Sequence, residues 1–176
     1  MNKIALITRR TWLSAAAAAL AIFATTPLAR ADVPPGWKTF KGAFFEIGIP
    51  PGFVATAIKT GGNINAVLLF NKALNVEFAV FSPQWDGVAP FKGALEGEKV
   101  VARNVKKTGK ETAEDISIEA KDGSYTRYVL SQTFADEANS THTNKTFGIR
   151  VPNTKVLAQV KNLYAQWKKT LTQLGD

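Results

Sequence analysis

His142, the only histidine in the chain, closes the run Asp136-Glu137-Ala138-Asn139-Ser140-Thr141-His142, where oxygen donors beside one imidazole suggest a cation site or an acid–base pair. A zinc site asks for further histidines or for cysteines, and the chain has no cysteine. The run therefore reads as a solvated polar loop. Glu96 with Glu98, and Glu114 with Asp115, are neighbouring acids of the kind a glycosidase pairs across a scissile bond. Adjacent acids on a strand point to opposite faces or into water. No Gly-x-Ser-x-Gly elbow, His-Glu-x-x-His pair, phosphate-cradling glycine loop or dinucleotide glycine pattern occurs. The expectation is a protein without catalytic residues, metal ligands or cofactor.

Binding chemistry has better candidates. Trp85-Asp86-Gly87 follows Pro83, and an aromatic leaving a strand for a loop lines a ligand cleft or an interface, or else caps the core. Trp85 and Asp86 are the candidate binding residues. Lys99, Arg103, Lys106, Lys107 and Lys110 form a basic stretch that is followed by Glu111, Glu114 and Asp115. A hairpin would set these opposite charges side by side, so they are expected to neutralise one another on a solvated face.

The elements that must position these residues are mostly strands. Phe45, Ile47 and Ile49 alternate with Glu46 and Gly48 until Pro50-Pro51-Gly52 stops the run. Phe53 to Ile58 continues to the turn signal Gly61-Gly62-Asn63. The apolar run 66–70, then Val76, Phe78 and Val80 at alternate positions, predict a hairpin. Residues 83–97, with Pro90 and three glycines, read as a long connection, with one helical turn near Phe91 to Leu95. Glu98 to Thr108 is extended, Gly109 turns it, and Ile116, Ile118 and Ala120 mark the next strand. Asp122-Gly123 is a tight-turn pair leading to Tyr125–Phe134, which is rich in strand formers. After a polar loop over 135–143, Phe147, Ile149 and Val151 give one strand more.

The clearest element is a helix that starts at the cap candidate Asn153 and is expected to run to Leu174. Val156, Val160, Leu163, Tyr164, Trp167, Leu171 and Leu174 put one apolar stripe on it, and Gly175 ends it. Such a stripe must lie across the sheet. The expected fold class is α+β, an antiparallel sheet of six to seven strands covered by a long C-terminal helix.

The first 31 residues read as a cleaved signal peptide. Lys3, Arg9 and Arg10 precede an apolar core, and Ala29 and Ala31 supply the small side chains a signal peptidase needs, which places the cut after Ala31. Thr8-Arg9-Arg10-Thr11-Trp12-Leu13 resembles the twin-arginine signal, with an ordinary Sec signal as the alternative. The domain reading is 1–31 signal peptide, 32–41 irregular lead-in and 42–176 a single domain, periplasmic or secreted, with no transmembrane segment in the mature form. Four of the 22 Lys and Arg residues leave with the signal and all 14 acids stay, so the formal charge falls from +8 to +4. That balance gives no reason to expect nucleic acid as a partner.

Phe45-Glu46-Ile47-Gly48-Ile49-Pro50-Pro51-Gly52-Phe53, the hairpin after it and the closing amphipathic helix together resemble the PsbP-like family of small lumenal and periplasmic proteins. The resemblance implies an α/β sandwich and a non-catalytic role in assisting an envelope or membrane-bound complex, with an envelope protein as partner. The alternative is a helix-grip fold, in which a sheet and helix enclose a cavity for a small apolar ligand and the protein is its periplasmic carrier.

Overall fold

The computed structural model describes residues 32–83, 87–136 and 141–174, the side chains of 136 and 141 excepted. Along the chain come β1 (Lys38–Lys41), β2 (Phe45–Ile49), β3 (Val54–Thr60), β4 (Asn63–Asn71), β5 (Val76–Phe81), β6 (Glu98–Thr108), β7 (Glu111–Ala120), β8 (Thr126–Asp136), β9 (Thr141–Val151), α1 (Thr154–Lys169) and β10 (Thr172–Gln173). Seven strands form one antiparallel sheet in the order β3-β4-β5-β9-β8-β7-β6, and β1-β2-β10 form a second. The fold is α+β, with mostly antiparallel strands and one C-terminal helix. Among the described residues no helix is long and apolar enough to cross a membrane.

The strands follow the expected alternation, and positive φ falls where the turns demand it. Gly61 and Gly62 (60° and 87°) turn β3 into β4, and Gly109 (57°) turns β6 into β7. Residues 87–97 contain no helix; they form an extended strap with turns at 90–91 and 96–97. Pro90 and the glycines at 87, 93 and 97 oppose a helical run. Lys38–Lys41, inside the segment read as a lead-in, pair with β2.

The helix begins as expected, with the Asn153 side chain accepting from the Val156 N–H at 3.0 Å. It ends at Lys169, five residues before Leu174. Thr170 stops it: its hydroxyl donates to the Trp167 carbonyl at 2.8 Å and accepts from the Gly48 N–H at 2.9 Å. The chain then extends, and Thr172–Gln173 pair with Phe45–Glu46 of β2.

One face of the large sheet, β2 and α1 share the main core. Trp167 is fully buried, donates its indole N–H to the Gly48 carbonyl at 2.9 Å and lies 5.1 Å from Phe78 and 5.9 Å from Phe147 between ring centroids. Burying a ring of that size contributes about 4–6 kcal/mol of transfer free energy. Gly48 is a close-approach position, since a β-carbon there would lie 2.9 Å from the Trp37 ring and 3.0 Å from the Thr170 hydroxyl. The middle of the space between helix and sheet is thus filled by Trp167, Phe78, Phe147, Val160 and Leu69. This corrects the helix-grip expectation of an enclosed apolar cavity at that place.

Candidate ligand-binding cleft

The opposite face of the large sheet carries a row of charges set by strand register. Glu77 of β5 pairs with Arg150 of β9, Arg150 with Arg127 of β8, and Arg127 with Ile118 of β7. Directly paired residues share a face and lie within side-chain reach. An uncovered row of this kind would be solvated, but the strap lies over it. Ala89 and Phe91 are buried with Ala66, Ala79 and Phe81. Gly148 leaves room for them: a β-carbon there would sit 3.3 Å from both the Ala79 β-carbon and the Phe91 ring.

Arg127 pins the strap. Its guanidinium donates to the carbonyl of Phe91, to the carbonyl of Gly93 at 2.8 Å and to the Glu98 carboxylate, with Nε–Oε1 at 3.1 Å. Glu98 also accepts from the Tyr125 hydroxyl at 2.9 Å and from the Leu95 N–H at 2.7 Å. Burial alone would raise the Glu98 pKa, yet the bonds from Arg127, Leu95 and Tyr125 outweigh it and hold the carboxyl below its usual range. Further along, Glu114 accepts from Arg103 and pairs with Lys92 of the strap at 2.8 Å. Burial pushes Glu114 up, and these two cations bring it below the ordinary value.

Between strap and sheet remains a cleft of about 350 Å³. Ile58, Leu68, Pro90, Phe91 and Leu95 make its apolar wall, and Glu77, Arg150, Tyr125, Arg127 and Glu98 its polar one. Arg127 uses all three of its nitrogens in hydrogen bonds; Arg150 does not. Arg150 stands over the Tyr125 ring at 5.2 Å and meets Glu77 only at 3.7 Å. Its buried Nε has no hydrogen-bond partner among the described residues. Glu77 is held above its ordinary pKa by burial, against the pull of Arg150 and Arg127. The cleft therefore combines an under-used guanidinium, an easily protonated carboxyl and an apolar wall.

The residues singled out from sequence are placed elsewhere. Trp85 and Asp86 lie outside the described residues, as do Ala29 and Ala31. Glu98 lines the cleft, but as the partner of Arg127; Glu96 is exposed. Glu114 and Asp115 take opposite faces of the sheet, and Asp115 lies on the helix side near Lys168. His142 is exposed, in β9 opposite Ala135 rather than in a loop. Among the described residues no three of His, Asp and Glu are grouped to hold a metal ion. Of the basic stretch and its acids, Arg103 and Glu114 meet, but Glu114 is buried rather than on a solvated face, and Lys99 pairs instead with Glu119 at 3.4 Å. Glu77, Tyr125, Arg127 and Arg150 were missed. The available signal was a charge at alternate strand positions beside buried neighbours, which on a lone strand reads as a solvent face.

No protein-family model matches the chain, and no curated protein matches it. Among solved structures it is similar to the Ran-binding protein Mog1p of Saccharomyces cerevisiae, at 13% identity and a TM-score of 0.41 over 77% of this chain and 94% of that one. A point mutant of Mog1 gives 14% identity and a TM-score of 0.40 over 77% and 95%. The PsbP-like resemblance is corrected: no family model matches the chain, and these two solved structures are Mog1 proteins. The role it implied, assisting an envelope complex, falls with it. The carrier alternative is likewise corrected, because packed aromatic side chains fill the centre of the sheet–helix layer, where its ligand would be enclosed.

Proposed function

We propose that this domain binds a small amphiphilic molecule, an apolar body ending in one carboxylate, in the cleft beneath the strap. The observation that carries the reading is Arg150: a half-buried guanidinium whose Nε has no partner and whose nearest carboxylate stands at 3.7 Å. A guanidinium that is 30% exposed and held so loosely has N–H donors to spare for a ligand. A ligand carboxylate accepting two parallel N–H bonds would engage them, while Ile58, Leu68 and Phe91 cover the apolar body. One negative charge is the number the site suits, because Glu77 stands beside Arg150 and Glu98 is committed to Arg127. The volume lies at the small end of ligand pockets, which run from about 300 Å³ upward.

Titration calorimetry with octanoate and with octanol tests the reading. A charge-assisted bond contributes about 1.5–3 kcal/mol, so octanoate is expected to bind about 10- to 150-fold more tightly than octanol, and Arg150→Met to remove that difference. Equal affinities for the two, or an unaltered octanoate affinity in the variant, would reject it. The reading makes the domain a binder rather than an enzyme, so octanoate recovered after long incubation should be unchanged by mass spectrometry. Export with cleavage after Ala31 is a separate proposal, carried by the basic, apolar and small-residue order of residues 1–31. Sequencing the N-terminus of the protein recovered from its host tests it, and an intact Met1 would refute it.

A further inference from the structure

The helix-side face of the large sheet has its own concavity, a groove of about 450 Å³ between α1 and strands β8 and β9. Its floor is apolar, formed by Leu130, Phe147 and Leu171, and its rim carries Lys145, Lys168 and Lys169. None of the three lysines has an ion-pair partner among the described residues, whereas Lys41, Lys92 and Lys99 each have one. Two of them are held in place by aromatic faces. The Lys145 ammonium lies 4.9 Å from the centre of the Phe134 ring, and that of Lys168 lies 5.0 Å from Tyr164 and 6.0 Å from Phe147. Such contacts fix a lysine without neutralising it.

We propose that this groove binds an organic phosphate, with the phosphate among Lys145, Lys168 and Lys169 and the apolar part on the Leu130, Phe147 and Leu171 floor. Three ammonium groups around one concavity repel one another, and a dianion relieves that repulsion where a single carboxylate would relieve less. Lysine meets phosphate as a point charge that needs no planar match. Burial lowers the pKa of Lys168, only partly offset by Asp115, so its charge too goes without full compensation inside the chain. The site lies on the opposite face of the sheet from Arg150, and the two can be separated by mutation.

Calorimetry at low ionic strength with inorganic phosphate, phenyl phosphate and phenol tests it. Phenyl phosphate is expected to bind more tightly than inorganic phosphate, and phenol not to bind. Lys168→Met, which keeps the packing on Tyr164 and Phe147, should weaken phenyl phosphate at least tenfold, and Lys145→Gln should do the same from a strand outside the helix packing. Arg150→Met should leave it unchanged. Sedimentation with phosphatidylcholine vesicles, with and without phosphatidic acid, separates the sources: binding to the acidic vesicles that both lysine variants lose assigns the phosphate to a lipid headgroup, and binding of phenyl phosphate alone assigns it to a soluble ligand. The proposal is overturned if neither phenyl phosphate nor acidic vesicles bind, or if both lysine variants, folded by circular dichroism, bind as the wild type does.

Discussion

Replacing Arg127 with methionine removes the one cation that answers Glu98 and the donor that holds the carbonyls of Phe91 and Gly93. The Glu98 side chain is 1% exposed and that of Arg127 6%, so the variant strands a buried carboxylate with only the Tyr125 hydroxyl and the Leu95 N–H as donors. Breaking a buried pair from one side costs about 3–5 kcal/mol. For a domain of this size each kcal/mol moves the melting temperature by roughly 3–4 °C, so a fall of about 10–20 °C is expected. Glu98→Gln combined with Arg127→Met leaves no buried charge, and the double variant should regain at least about 2 kcal/mol of the loss. Urea denaturation followed by circular dichroism measures both variants, and limited proteolysis should show faster cutting within residues 87–97 in the single one. If Arg127→Met costs less than about 1 kcal/mol, or if the double variant is less stable than the single, the strap is not held by this pair and the account of the cleft fails with it.

Stability should depend on pH in two opposing ways. Glu98 and Glu114 have folded pKa values below the ordinary 4.5, so their contribution is present above that pH and is lost as pH falls through the folded values. Glu77 is raised above 4.5, so what it contributes is present below that pH and lost as pH rises through its folded value. The urea midpoint should fall on acidification below about pH 4.5, less steeply in Glu98→Gln, and the advantage of Glu77→Gln over the wild type should grow between pH 4 and 7; the opposite trends would contradict the assigned environments. Gly148→Ala forces a β-carbon against Ala79 and Phe91 and should destabilise by about 1–3 kcal/mol, with a weakened cleft. An alanine variant as stable as the wild type by urea denaturation would mean that Phe91 does not pack there.

Local patterns made much of the framework legible. Phe45, Ile47 and Ile49 alternate because one side of β2 meets the core, Gly61-Gly62 and Asp122-Gly123 are turns any pairing would use, and Asn153 is a cap by its chemistry alone. The end of the helix was not legible, because Leu171 and Leu174 continue the apolar stripe past the point where the Thr170 hydroxyl, bonded to Gly48, diverts the chain. That contact spans 122 residues. Pairing of β10 with β2 is equally remote and leaves only two residues as its trace. The cleft was invisible for the same reason. Glu77 and Arg150 become neighbours only through the β5–β9 register, and on its own strand each is a polar residue between apolar ones. The strap reads as a connection in the sequence, and it is one; that Arg127 binds its carbonyls depends on side-chain geometry that no periodicity carries.

The late closure of the small sheet bears on how the polypeptide is made. Gly48 and Thr170 are separated by 122 residues, and a ribosome adding about 5–20 residues per second leaves roughly 6–25 seconds between the two. Throughout that interval Phe45 and Ile47 have neither Trp167 above them nor β10 alongside. Until then the β10 side of β2 is an unpaired strand edge beside an uncovered apolar face, so completion of the small sheet has to wait for the last residues of the chain.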